Sequence, residues 1–175
     1  QIEELERIAL ERCSTAREAI ALMGALAEEY GYADGGECLT VADKNEVWHF
    51  EIYGNGKLPE DPKAKKSKKA PVDKAGALWV AQRIPDDHVG VSANIPRIGV
   101  VDFNDPDNFM YSKDLKERSK AIGHWSGEGD YVFWKVVSSG KKPFSIREWF
   151  VLSTLAPSLN LKYEADEIPF SVKPE

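Results

Sequence analysis

Residues 37–53, ECLTVADKNEVWHFEIY, decide the fold class. Glu37–Ala42 and Glu46–Tyr53 are two β-rich runs, parted by Asp43, Lys44 and Asn45, which are turn residues, so the stretch reads as a β-hairpin. In the second run Trp48, Phe50 and Ile52 alternate with Val47, His49 and Glu51. Both faces carry apolar members, as in a strand covered by a layer on each side, and Trp48 is expected in the core. Residues 77–95, ALWVAQRIPDDHVGVSANI, repeat the pattern. Ala77–Ile84 and His88–Ile95 make a second pair, parted by Pro85, Asp86 and Asp87. The middle of the chain is therefore expected to be a four-strand antiparallel unit with one long insertion.

Helices are expected on either side of it. Ile2, Leu5, Ile8 and Ala9 share one stripe of a helix over residues 2–12. Thr15 and Glu18 have the spacing of a capping box, so a second helix starts there, runs through Ala19, Leu22, Met23 and Leu26, and ends at Gly31. Residues 96–111 read as a loop rich in Pro, Asp and Asn. Residues 112–122 read as a short helix capped by Ser112, Tyr131–Val137 as a strand or buried extended piece, and Ser145–Ala156 as a helix stopped by Pro157 and covered nearly all round. The tail to Glu175 shows no periodic element. Helices flanking paired strands make the chain α+β, in one domain.

The chain has 175 residues, 42% apolar and 30% charged, with a net charge of −6. A core of useful size can form, and a disordered tail or a disulfide scaffold is excluded. No run of about 18 apolar residues is present, so no spanning helix is expected. The acidic balance argues against nucleic acid as a partner. Residues 57–74 hold seven Lys against Glu60, Asp61 and Asp73, a local balance of +4. Such a run, with prolines and no hydrophobic period, is read as a solvated loop inserted at 55–75.

Few residues stand out chemically. If His88–Ile95 is a strand, Val89, Val91, Ala93 and Ile95 point one way, and His88, Gly90, Ser92 and Asn94 the other. That second face is small and polar, suited to a ligand, with the Asn94 amide as a donor toward a developing oxyanion. His49 and Glu51 share a face two residues apart and read either as a structural polar pair or as an acid–base pair. Cys13 and Cys38 are expected as buried thiols. They have no CxxC spacing, and His49, His88 and His124 are scattered, so neither a metal site nor any cofactor is expected. Physics alone identifies no reaction.

Longer strings do more. ERCSTAREAI (11–20), GECLTVADKNEVWHFEIYG (36–54), GALWVAQRIPDDHVGVSANIPRIG (76–99), DFNDPDNFMYSKDLKERSKAIG (102–123), REWFVLSTLAPSLNL (147–161) and IPFSVKPE (168–175), in this order, resemble the dipeptidase-A family of cysteine peptidases. These are N-terminal-nucleophile hydrolases, relatives of penicillin V acylase and bile salt hydrolase. The resemblance implies an αββα sandwich with antiparallel sheets and hydrolysis of short peptides, chiefly dipeptides. It implies as nucleophile a cysteine at the mature N-terminus, whose own amine serves as base. Gln1 is not cysteine, so the chain is expected to be an internal fragment of such an enzyme, inactive alone. Its partners would be the dipeptide and the remainder of the parent chain, with a homo-oligomer as a further expectation. Asn94, in SANIP, matches an active-site asparagine of the relatives that helps bind the oxyanion. Arg147 matches an active-site arginine. The competing expectation is a non-catalytic binding or interaction module. Two unpaired cysteines suit a reducing compartment without excluding export.

Overall fold

The computed structural model describes residues 1–58 and 75–175, so the expected Lys-rich loop lies largely outside the described residues. Two helices open the chain, α1 (Ile2–Arg12) and α2 (Ala16–Tyr30). The Thr15 capping box is present: Glu18 N donates to Thr15 Oγ1 at 3.2 Å, and Glu18 Oε2 accepts from Thr15 N at 3.1 Å. Asp43 Oδ2 adds an acceptor for Ala16 N at 2.8 Å, which ties the first hairpin turn to the start of α2. Gly31, at φ +87°, ends the helix in a conformation that only glycine adopts without strain.

Strands β1 (Glu37–Ala42), β2 (Val47–Gly54) and β3 (Ala77–Ile84) follow, as the sequence pattern requires. The fourth strand is not the expected one. It is β5 (Phe109–Tyr111), in the segment read as loop, and the sheet order is β1-β2-β3-β5, antiparallel throughout. Three apolar residues among Asp, Asn and Pro are too few to show a period. After the Pro85–His88 turn the chain leaves the sheet. Only Val89–Gly90 (β4) is strand, paired with Ser171–Val172 (β6) in the tail where no element was expected. Asn94 sits in the left-handed region at φ +61°, which ends any alternation along 88–95.

The remaining helices are α3 (Leu115–Ala121), α4 (Phe133–Val137) and α5 (Ile146–Leu155), with a 3-10 turn at Pro157–Leu159. Residues 133–137 are thus helical rather than extended. Asp114, not Ser112, occupies the N-cap position of α3, and the buried Ser112 hydroxyl instead accepts from Trp79 N at 3.4 Å. Ser145 caps α5, with Arg147 N donating to Ser145 Oγ at 3.2 Å and Ser145 N to Glu148 Oε2 at 2.8 Å. That helix is not covered all round: Leu152 and Glu148 face inward, while Ile146 and Phe150 are 58% and 62% exposed.

The four-stranded sheet separates two apolar layers. Trp48, Phe50 and Ile52 of β2 and Ala77, Trp79 and Ala81 of β3 face α1 and α2, meeting Ile20, Met23 and Ala27. Leu78 and Val80 face the other way, onto Ile98, Val101, Leu115, Tyr131 and Phe133. Each large side chain so buried contributes about 1.5–3 kcal/mol. Burial on both faces of β2 is what its sequence required, and Trp48 lies fully in the core. The chain is α+β, with a helix layer on one face and shorter helices and loops on the other.

Candidate active site

The polar residues of β2 build the site from below. On the face opposite Trp48, His49 and Glu51 are both buried. Glu51 Oε1 accepts three hydrogen bonds: from His49 Nε2 at 2.7 Å, Arg97 N at 2.6 Å and Ile98 N at 3.1 Å. The carboxylate therefore clamps the segment that follows Asn94 onto the sheet. Arg97 holds the same segment from the other side. Its guanidinium, buried, donates from Nη1 to Pro143 O at 2.5 Å and from Nη2 to Pro169 O at 2.6 Å. Burial lowers the guanidinium pKa, against the opposing charges of Glu148 and Glu51. Among the described residues, Glu51 Oε2, Arg97 Nε and Glu148 Oε1 are buried polar atoms without a hydrogen-bond partner.

Above this clamp lies an open cavity of about 550 Å³. Its walls come from the β1 start (Glu37, Cys38), the β2 end (Tyr53), the 92–96 segment, residues 137–139 and the start of α5 (Arg147). The structure thus brings Asn94 and Arg147, 53 residues apart in sequence, into one cavity and into contact. Arg147 Nη1 donates to Asn94 Oδ1 at 3.2 Å, and Nη2 donates to Ala93 O. A guanidinium has donors only, so the contact fixes which way the amide faces. Asn94 Nδ2 is left without a partner among the described residues, as a donor at the cavity wall. Asn94 is exposed, and its placement owes nothing to strand alternation; it comes from a left-handed turn held by Glu51 and Arg97.

His49 and Glu51 form a buried structural pair outside the cavity lining. The two cysteines are half-buried rather than buried, and they are far from equivalent. Cys13 lines a separate groove between α1, α2 and β1. Cys38 lines the cavity, and strand register sets it opposite Glu51. Burial, and then the charges of Glu51, Glu37 and Glu148, push its thiol far above the ordinary value. That is the reverse of what activates a nucleophilic cysteine. Burial and Glu51 push the Tyr53 hydroxyl up in the same way. Cys38, His49 and Glu51 each offer one ligand atom within 4.8 Å of the others, a grouping that only the pairing of β1 with β2 creates. Sequence reasoning missed Glu37, Cys38, Tyr53 and Arg97 as parts of this region. The hairpin register carried a signal for Cys38, since pairing Ala42 with Val47 sets it across from Glu51; nothing local marked Arg97.

A model of peptidase family C69 matches residues 1–175. The chain belongs to peptidase family C69. The resemblance to dipeptidases is borne out by curated relatives. A probable dipeptidase of Latilactobacillus sakei is 30% identical over 161 residues, which cover 90% of this chain and 29% of that protein. A probable dipeptidase B of Streptococcus pyogenes serotype M1 is 32% identical over 113 residues, 65% of this chain and 18% of the relative. A probable dipeptidase A of Streptococcus pyogenes serotype M3 (strain SSI-1) is 28% identical over 116 residues, 66% of this chain and 20% of the relative. The C69 chain thus spans less than a third of the length of the relatives it matches. No helix among its described residues is long and apolar enough to cross a membrane.

Proposed function

We propose that these residues are part of a cysteine dipeptidase, whose nucleophile is an N-terminal cysteine contributed from outside the chain. The 175 residues belong to one larger peptidase domain, and alone they are inactive. The substrate is a dipeptide or other short peptide, held in the cavity between β1, the 92–96 segment and α5. The thiolate attacks the scissile carbonyl carbon, and the carbonyl electrons move onto oxygen. The tetrahedral oxyanion collapses, expels the amine as it gains a proton, and leaves a thioester that water hydrolyses. Asn94 is the catalytic residue of this chain: its Nδ2–H donates to the oxyanion. Arg147 is a positioning residue that keeps the amide oriented.

The observation that carries this reading is the Arg147–Asn94 contact, which leaves one amide donor turned to the cavity. Asn94→Asp, in the parent enzyme, keeps the oxygen that meets Arg147 and the tolerance for left-handed backbone, and removes the donor. Loss of one oxyanion donor lowers kcat by about a hundred- to a thousandfold. The KM and the melting temperature should stay near wild type, because a donor to the oxyanion acts on the transition state and no apolar volume is removed. An unchanged kcat would overturn the role. A lowered melting temperature with kcat intact would assign Asn94 to holding the Ile95–Pro96 turn.

A further inference from the structure

The geometry points to a zinc site at the floor of the cavity, with Cys38, His49 and Glu51 as ligands and a fourth position open. In sequence the two cysteines and three histidines are scattered, and no ligand spacing is visible. Pairing of β1 with β2 changes that. Cys38 lies opposite Glu51, and His49 is two residues from Glu51 on the same strand. All three side chains therefore leave the sheet on the face opposite Trp48. The thiol sulfur, an imidazole nitrogen and a carboxylate oxygen lie within 4.8 Å of one another. Tetrahedral zinc holds sulfur at about 2.3 Å and nitrogen and oxygen at about 2.0–2.2 Å, which sets such atoms about 3.3–3.6 Å apart. The ion has only to draw the three donors together.

A second observation marks the place for a cation. Glu51 is fully buried, and its Oε1 takes all three hydrogen bonds of the carboxylate. Oε2 is buried with no partner among the described residues. A buried carboxylate oxygen without a donor costs free energy, and a bound cation removes that cost. The surrounding charge favours one. The charges of Glu51, Glu37 and Glu148 all reach the Cys38 thiol, and the buried cation set against Glu51 and Glu148 is Arg97. When zinc binds, the thiol loses its proton to solvent, and one thiolate and one carboxylate neutralise the two positive charges of the ion. His49 Nε2 donates to Glu51 Oε1 at 2.7 Å. The imidazole stays neutral on binding, its proton held by the nitrogen turned away from the ion. A sulfur, nitrogen and oxygen donor set suits borderline-soft zinc, whereas calcium and magnesium take oxygen ligands. Cys38 lines the cavity, so the open position faces it. The Cys38 sulfur is also 3.9 Å from Ile95 O, which sets the ion beside the segment that carries Asn94.

The test titrates zinc and cobalt(II) into the metal-free parent enzyme as wild type, Cys38→Ser, His49→Gln and Cys13→Ala. Peptide hydrolysis plays no part in the readout. Wild type should bind one equivalent of zinc that Cys38→Ser does not. Loss of a group that merely supports a ligand costs about ten- to a hundredfold in metal affinity, so loss of the ligand itself should cost at least about a hundredfold. His49→Gln should weaken the same equivalent. Cys13→Ala, whose thiol lies in the separate groove between α1, α2 and β1, should match wild type. Cobalt should give wild type a thiolate-to-metal charge-transfer band that Cys38→Ser lacks. Zinc should raise the melting temperature of wild type more than that of Cys38→Ser. Equal zinc binding by wild type and Cys38→Ser overturns the site, and so does a cobalt band that disappears with Cys13 rather than with Cys38. Should Cys38→Ser fail to fold, wild type and His49→Gln decide: the absence of a thiolate band in wild type, or equal zinc affinity in the two, overturns the site.

Discussion

Replacing Glu51 tests the clamp beneath the cavity. Its Oε1 serves three donors, at 2.7 Å from His49, 2.6 Å from Arg97 N and 3.1 Å from Ile98 N. Those residues are 3%, 3% and 0% exposed, so water does not replace a lost acceptor. Glu51→Ala orphans all three donors. At about 1–3 kcal/mol for each unsatisfied buried group, the loss is about 3–9 kcal/mol. A domain has a margin of only about 5–15 kcal/mol, so the variant is expected at the edge of unfolding. Glu51→Gln keeps an acceptor oxygen and loses the charge, which roughly halves the strength of each bond, for a loss of about 2–4 kcal/mol. Urea unfolding followed by tryptophan fluorescence reads both variants, since five Trp report on the sheet and its neighbours. Amide exchange at Arg97 and Ile98 reads the clamp itself: in Glu51→Gln these two protons should lose protection before those of β2 and β3. A Glu51→Ala variant that loses less than about 1 kcal/mol would refute the reasoning, because it would mean that the three donors find other partners.

Two further outcomes follow from packing and charge. Gly24→Ala places a Cβ 2.3 Å from Trp79 Cε2, on the helix face that the indole covers; overpacking of this kind costs about 1–3 kcal/mol, seen as a lower urea midpoint, and a midpoint at or above wild type contradicts the α2–β3 contact described. The Asp43 carboxyl is held below its ordinary range, first by the amide of Ala16 and next by that of Asn45. The folded state therefore binds its proton more weakly than the unfolded chain, so the contribution is present above the ordinary carboxylate value of 3.8 and is lost as pH falls below it. Melting temperatures of wild type and Asp43→Asn should converge toward acid pH, and a difference independent of pH would remove Asp43 from that role.

What the sequence determined by itself is local. The Thr15 capping box, the Gly31 stop and the three long strands were legible, because each depends on hydrogen bonds or periodicity within a few residues. Family membership was legible as well, from strings spread along the chain. The sequence also singled out Asn94 and Arg147, though the strand expected over 88–95 to present Asn94 stops at Gly90. Tertiary structure decided the rest. It chose β5 over 88–95 as the fourth strand, since a short run gains its hydrogen bonds from whichever partner the fold delivers. It opened one face of α5, because periodicity tells which residues share a side and not what covers that side. The candidate site depends on it most. Glu51 meets Arg97 across 46 residues, and Arg147 meets Asn94 across 53. Such contacts have no local signature, since they arise only when packed layers fix distant loops against one another.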